Sequence, residues 1–151
     1  MKKRVVLLVV LSLIVPHTFS YANEERPFKI LLNASNPISE LTTYEISKLF
    51  LKKVKQWKES KEAVLPVDLV ADSPVREEFS SAIHERKLSS IKAYWQKQIF
   101  SGRGVPPEEK GSDQDVLEYV AGHAGAIGYV SDAADIDHDD VKIVHIIKKE
   151  L

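Results

Sequence analysis

Gly125-Ala126-Ile127-Gly128-Tyr129-Val130 is a short apolar run entered through glycine. Its length and lack of charge suit a buried strand, and the segment just before it has a helical pattern. That segment opens at Ser112 to Asp115 with capping-box spacing, in which a side-chain oxygen and an acidic residue three positions on satisfy exposed helical N–H groups. Val116, Leu117 and Val120 continue at helical intervals, and Gly122 and Gly125 end the helix. Downstream, residues 131–140 read as an acidic loop and residues 141–147 as a last strand.

The same alternation extends toward the N-terminus. Phe28-Lys29-Ile30-Leu31-Leu32 reads as a buried strand, and Asn33-Ala34-Ser35-Asn36-Pro37 is a dense turn signal after it. Thr42-Thr43-Tyr44-Glu45 has capping-box spacing, with Ile46, Leu49, Phe50 and Val54 following at helical intervals. Residues 52–61 are strongly charged, and Trp57 among them reads as an anchor folded back on the domain. Residues 63–70 make a second strand, with Pro66 early in it where a missing N–H is tolerated.

Asp72-Ser73-Pro74 then starts a helix, a side-chain oxygen capping free N–H groups and proline taking the first helical position. Val75, Phe79, Ala82 and Ile83 form its apolar stripe. Ser89 or Ser90 begins another helix, whose Ile91, Tyr94, Trp95 and Ile99 share one face and read as core. Strands interleaved with helices predict an α/β domain with a mostly parallel sheet flanked by helices. Ligands of such sheets collect at the carboxyl ends of the strands, an edge to which this reading assigns both residues 33–36 and Asp72-Ser73.

The N-terminus has the pattern of a secretory signal. Lys2-Lys3-Arg4 is a basic region, residues 5–15 are an apolar run too short to span a bilayer, and Ser20-Tyr21-Ala22 places small residues at the positions a signal peptidase reads. Cleavage after Ala22 is expected to leave residues 23–151 as one domain, exported to the periplasm or secreted, with no membrane span. The formal charge is −1, and losing three basic residues takes it to −4. That balance argues against nucleic-acid binding, so any anion site must be local. The chain has no cysteine, so an exported form depends on core burial rather than disulfides.

Phe100-Ser101-Gly102-Arg103-Gly104-Val105-Pro106-Pro107 has two readings. Ser101, Gly102 and Arg103 suit an oxyanion contact, because glycine lets backbone N–H groups approach closely and arginine presents a fork of donors. Equally, Gly102 suits a left-handed helix stop, with Arg103 a surface charge near the helix end. Ser73 could receive an anion at its helix N-terminus or simply cap the helix, and Asn33 and Ser35 are either ligand contacts or loop punctuation. His84, His123, His138 and His145 show no metal-ligand spacing, and no nucleophile motif is present. The acidic loop with Asp132, Asp135, Asp137 and His138-Asp139-Asp140 lacks the EF-hand pattern. No metal, cofactor or catalytic residue is expected.

The order of motifs resembles the phosphate-binding proteins of ABC importers. The resemblance runs through Asn36-Pro37, the helix ending in Leu49-Phe50-Leu51, Trp57, Pro66, Ser73, Phe79 and residues 125–130, and spans residues 28–147. It is closer to small single-lobe exported relatives, in which a segment like Tyr94-Trp95 leads to one like Phe100-Ser101-Gly102-Arg103-Gly104. The resemblance implies one lobe of a type II periplasmic-binding-protein fold and a ligand such as inorganic phosphate or another small oxyanion. The larger proteins carry Ser-Gly-Thr at a helix N-terminus with an arginine before it; here the positions are Ser73-Pro74-Val75 and Leu69, and only Ser73 matches. Arg76, one turn into the helix, is the candidate replacement for the missing charge. Lys110-Gly111-Ser112 to Val116 also resembles a glycine-containing loop of the larger proteins.

Two functions are therefore expected in contrast. One is a non-enzymatic, exported solute-binding-like module with weak oxyanion affinity, since one lobe cannot close on a ligand. The other is a protein-interaction or sensory accessory domain that has lost ligand binding and meets an envelope protein or a transporter. Arg103 between glycines favours the first, and the incomplete motif at Ser73 favours the second.

Overall fold

The computed structural model describes residues 26–147, so the expected signal segment at residues 1–22 lies outside the described residues. The elements follow in the order β1 (Phe28–Asn33), β2 (Glu40–Thr42), α1 (Thr43–Phe50), β3 (Leu65–Leu69), α2 (Pro74–His84), α3 (Leu88–Phe100), β4 (Glu108–Lys110), α4 (Asp113–Gly122), β5 (Ala126–Ser131) and β6 (Val141–Ile147). Among the described residues the strands form one six-stranded sheet in the order β2-β6-β1-β5-β3-β4. The four strands expected from periodicity are β1, β3, β5 and β6. The short β2 and β4, three residues each, carry no periodic signal and were not anticipated.

The sheet is mostly parallel, with one exception at its centre. β3 pairs parallel with β5 and β4, and β2 pairs parallel with β6, while β1 pairs antiparallel with both β5 and β6. Five strands therefore point one way and β1 alone points the other. The carboxyl edge, where those five strands end, also receives the beginnings of α1, α2 and α4, each of which follows the end of a strand.

Two glycines explain why the stretch at residues 125–130 has its sequence. A Cβ on Gly125 would stand 1.9 Å from the Ala63 carbonyl oxygen, and one on Gly128 would stand 2.7 Å from Val116 and 2.8 Å from Val67. The first glycine lets the chain entering β3 cross close to β5; the second lets α4 pack directly on the sheet. The Gly125 carbonyl accepts hydrogen bonds from the Trp57 indole at 3.0 Å and the Leu65 amide at 3.0 Å. Trp57 is buried, so the charged 52–61 segment is anchored as its sequence suggests.

On the other face, Phe79 of α2 stacks on Tyr129 of β5 with ring centroids 3.9 Å apart, and Phe28 and Phe50 close around them. Such a cluster adds roughly 1 kcal/mol per pair beyond area burial. α3 is only partly core. Ile91 and Trp95 pack with Leu51 in a satellite cluster, but Ile99 on the same face is exposed, because α3 packs on α2 and the residue just past α1 rather than on the sheet.

Candidate functional site

α2 begins at the carboxyl edge with Ser73 at its N-cap and Pro74 at its first position, the arrangement its sequence suggests. The expected side-chain cap is absent. The reason is local: the Arg76 amide donates to Ser73's own carbonyl at 3.1 Å, in a turn already tightened by the Ser73 amide donating to Val70. The half-buried Ser73 hydroxyl is thus not engaged in capping, unlike Thr42 and Ser112, which accept from Glu45 and Asp115 at the starts of α1 and α4. Asp72 stands exposed beside it.

Arg76 does not take the role of a ligand-facing charge. It is buried, donating from Nη1 to the Leu69 carbonyl at 2.7 Å and to Glu109 of β4, with Nη2 3.4 Å from Asp68 Oδ2. Asp68 Oδ1 accepts from the Tyr129 hydroxyl at 2.7 Å. Burial pushes the Asp68 carboxyl above its ordinary range, opposed by Arg76 and by the Tyr129 bond. Burial works against the Arg76 charge, but Asp68 and Glu109 outweigh it and hold the guanidinium more firmly protonated. Burial and then Asp68 raise the Tyr129 phenol. This is an internal network that ties β3, β4, β5 and α2 together. Sequence reading missed Asp68 and Tyr129, although an aspartate inside the apolar Leu65-Pro66-Val67-Asp68-Leu69 run signals a buried partner.

Asn33 and Ser35 do not share an edge with Ser73. Leu32 and Pro66 both lie level with Ile127, and Asn33 lies opposite Val141 at the start of β6. The reversed β1 therefore delivers residues 33–36 to the amino edge, whereas a wholly parallel sheet would have brought them to Ser73. Asn33 is buried there, its Nδ2 donating to the Val120 and Ala121 carbonyls at the end of α4 and its Oδ1 accepting from the amide and hydroxyl of Ser35. These bonds close a helix end and a turn.

The Ser101-Gly102-Arg103 turn stands apart from both. Gly102 has φ +66°, Ser101 Oγ donates to the Lys97 carbonyl at 2.8 Å, and the Arg103 amide donates to the Gln98 carbonyl at 2.9 Å, so the segment has helix-stop geometry. Lys52, just past α1, donates to the Pro106 carbonyl at 3.0 Å and ties the loop to the end of α1 away from the carboxyl edge. Arg103 is exposed there. The seven expected contacts thus fall in three separate places, Ser73 with an inward-facing Arg76, Asn33 with Ser35, and the Ser101-Gly102-Arg103 turn.

Solved structures show which fold this is. A protein described as an ABC-type phosphate transport receptor from Vibrio cholerae superposes with a TM-score of 0.63 at 19% identity over 82% of this chain and 47% of its own. One described as a phosphate ABC transporter substrate-binding protein from Clostridium perfringens, solved with bound phosphate, gives 0.62 at 21% identity over 80% of this chain and 44% of its own. The chain has the fold of a part of these proteins. PstS from Borrelia burgdorferi gives 0.56 at 15% identity over 80% of this chain and 47% of its own. The chain thus spans less than half the length of each of these structures. No family model matches the sequence, and no curated protein matches it.

Proposed function

We propose that the chain is an exported, non-enzymatic solute-binding-like lobe, residues 23–151 after removal of a signal peptide, that binds inorganic phosphate or another small oxyanion weakly. The observation that supports this most is the fold shared with a substrate-binding protein solved with phosphate. In this chain the proposed contact is Ser73, where the N-terminus of α2 supplies partial positive charge at the carboxyl edge. Weak affinity follows where this lobe supplies one wall of a site. Titration calorimetry of the purified protein with phosphate, sulfate and acetate tests the reading. Ser73→Asp keeps a residue suited to the N-cap but places a carboxylate in the site. A component of millimolar phosphate binding should weaken at least tenfold with that change, and heat wholly unaffected by it would contradict the proposal.

A second reading rests on a different surface. Phe100 is 89% exposed and Val105 62%, with Ile99 49% exposed beside them around Arg103. An apolar group of this kind with a cation at its rim suits an envelope protein or a transporter subunit as partner.

A further inference from the structure

A cavity of about 200 Å³ opens between α1 and the far end of α2, a helix length from Ser73. Three of its lining residues, Lys48, Lys53 and Arg86, are cations; Ser47, His84 and Tyr44 line it as well, and no carboxylate does. The space suits a tetrahedral oxyanion with several waters.

The backbone sets the two outer cations in the same way. Lys52 after α1 and Glu85 after α2 are both left-handed, with φ 52° and 53°, a conformation non-glycine residues rarely take. Each is followed directly by a cation. The Lys53 amide donates to the Lys48 carbonyl at 2.9 Å, and Arg86 is held by its carbonyl, which accepts from the buried Ser80 hydroxyl at 2.9 Å. Lys48 lies with its ammonium 5.2 Å from the Tyr44 ring centroid, at the outer wall.

Cations after helix ends often do no more than offset the helix dipole. Here no carboxylate lines the cavity to balance its three cations. His84, whose Nδ1 lies 2.9 Å from Ser47 Oγ, is held down to a pKa of about 4 by burial and then by Arg86, Arg76 and Lys53. Lys53 and Arg86 line the cavity from beyond α1 and α2 and Lys48 from α1, while Arg76 of α2 acts from within its pairing with Asp68 and Glu109.

We propose that this cleft is an anion site separate from the carboxyl edge, taking the phosphate or sulfate group of a small molecule between Lys53 and Arg86, with Lys48 and Ser47 as further donors. It uses none of the residues proposed at Ser73, so either site can stand without the other.

The His84 ring is the built-in reporter. Its NMR signals are followed while the protein is titrated with inorganic phosphate and, in a second arm, with glycerol phosphate, against sodium chloride at matched ionic strength. A saturable millimolar shift and a rise of about one unit or more in the His84 pKa are expected with either anion, because a bound anion offsets the surrounding cations. Response to the ester alone identifies an esterified phosphate as the ligand. Lys53→Gln with Arg86→Gln, both at exposed positions, should weaken the response at least tenfold, whereas Ser73→Asp should leave it in place. Signals that move no more than in chloride, or that respond equally in the double variant, would overturn the proposal.

Discussion

Arg76 Nη1 donates to the Leu69 carbonyl at 2.7 Å, which turns the guanidinium of α2 into the sheet instead of toward a ligand. Asp68 and Glu109 complete its environment, so the residue best placed by sequence to replace a missing ligand-binding arginine is a structural tie. Removing it strands Asp68 in the interior. Arg76→Met should cost about 3–5 kcal/mol, the usual loss when one member of a buried ion pair is deleted. Urea denaturation measures this, and adding Asp68→Asn to Arg76→Met should recover part of the loss because the buried charge is then gone. An unchanged unfolding midpoint in the single variant would contradict the assignment.

His84 should make stability depend on pH in a predictable direction. Its pKa is lowered to about 4 in the folded protein by burial and neighbouring cations, against an ordinary value of 6.5. The unfolded chain therefore binds a proton between these limits that the folded chain refuses. The neutral ring's contribution is complete above pH 6.5 and is lost as pH falls toward 4, amounting to about 3 kcal/mol. Urea midpoints measured from pH 7 to pH 4 should fall accordingly, and His84→Gln should flatten that part of the profile. A parallel decline in the variant would assign the effect to other groups.

Gly128→Ala should destabilise the protein by about 1–3 kcal/mol, as overpacking does where neighbours have little room to shift. Its Cβ would meet Val116 and Val67 below 3.0 Å. Gly125→Ala should cost more, because the atom in the way is the backbone carbonyl of Ala63 rather than a side chain. Thermal melts of the two variants test the order.

These glycines show how much of the fold was legible. The run at residues 125–130 announced a buried strand, and the capping-box spacings at Thr42 and Ser112 correctly placed the starts of α1 and α4, although only Thr42 forms the full box. Strand direction was not legible, because alternation and turn residues carry no sign of which way a strand runs in its sheet. That one unknown, at β1, moved Asn33 and Ser35 to the opposite edge from Ser73. Ser101, Gly102 and Arg103 were ambiguous for a related reason: a helix stop and an anion loop use the same residues, and only the surrounding bonds tell them apart.

Asp72 supplies a sensitive check on the carboxyl edge. It is exposed next to Ser73 and opposes any anion there. Asp72→Asn should tighten phosphate binding severalfold at low salt, since near a surface a like charge within a few ångströms costs on the order of 1 kcal/mol or more. Calorimetry at low and moderate ionic strength should show the gain shrinking as salt rises. Equal affinity in variant and parent at low salt would place the anion elsewhere.

The most direct measurement is amide chemical-shift mapping of the isotopically labelled protein during a phosphate titration. Phosphate bound at the carboxyl edge should give saturable shifts at the amides of Ser73, Val75 and Arg76, where α2 begins, with none at Asn33, Ser35 or Arg103. Shifts centred on Arg103 or Asn33, or no saturable shift near Ser73, would contradict binding there.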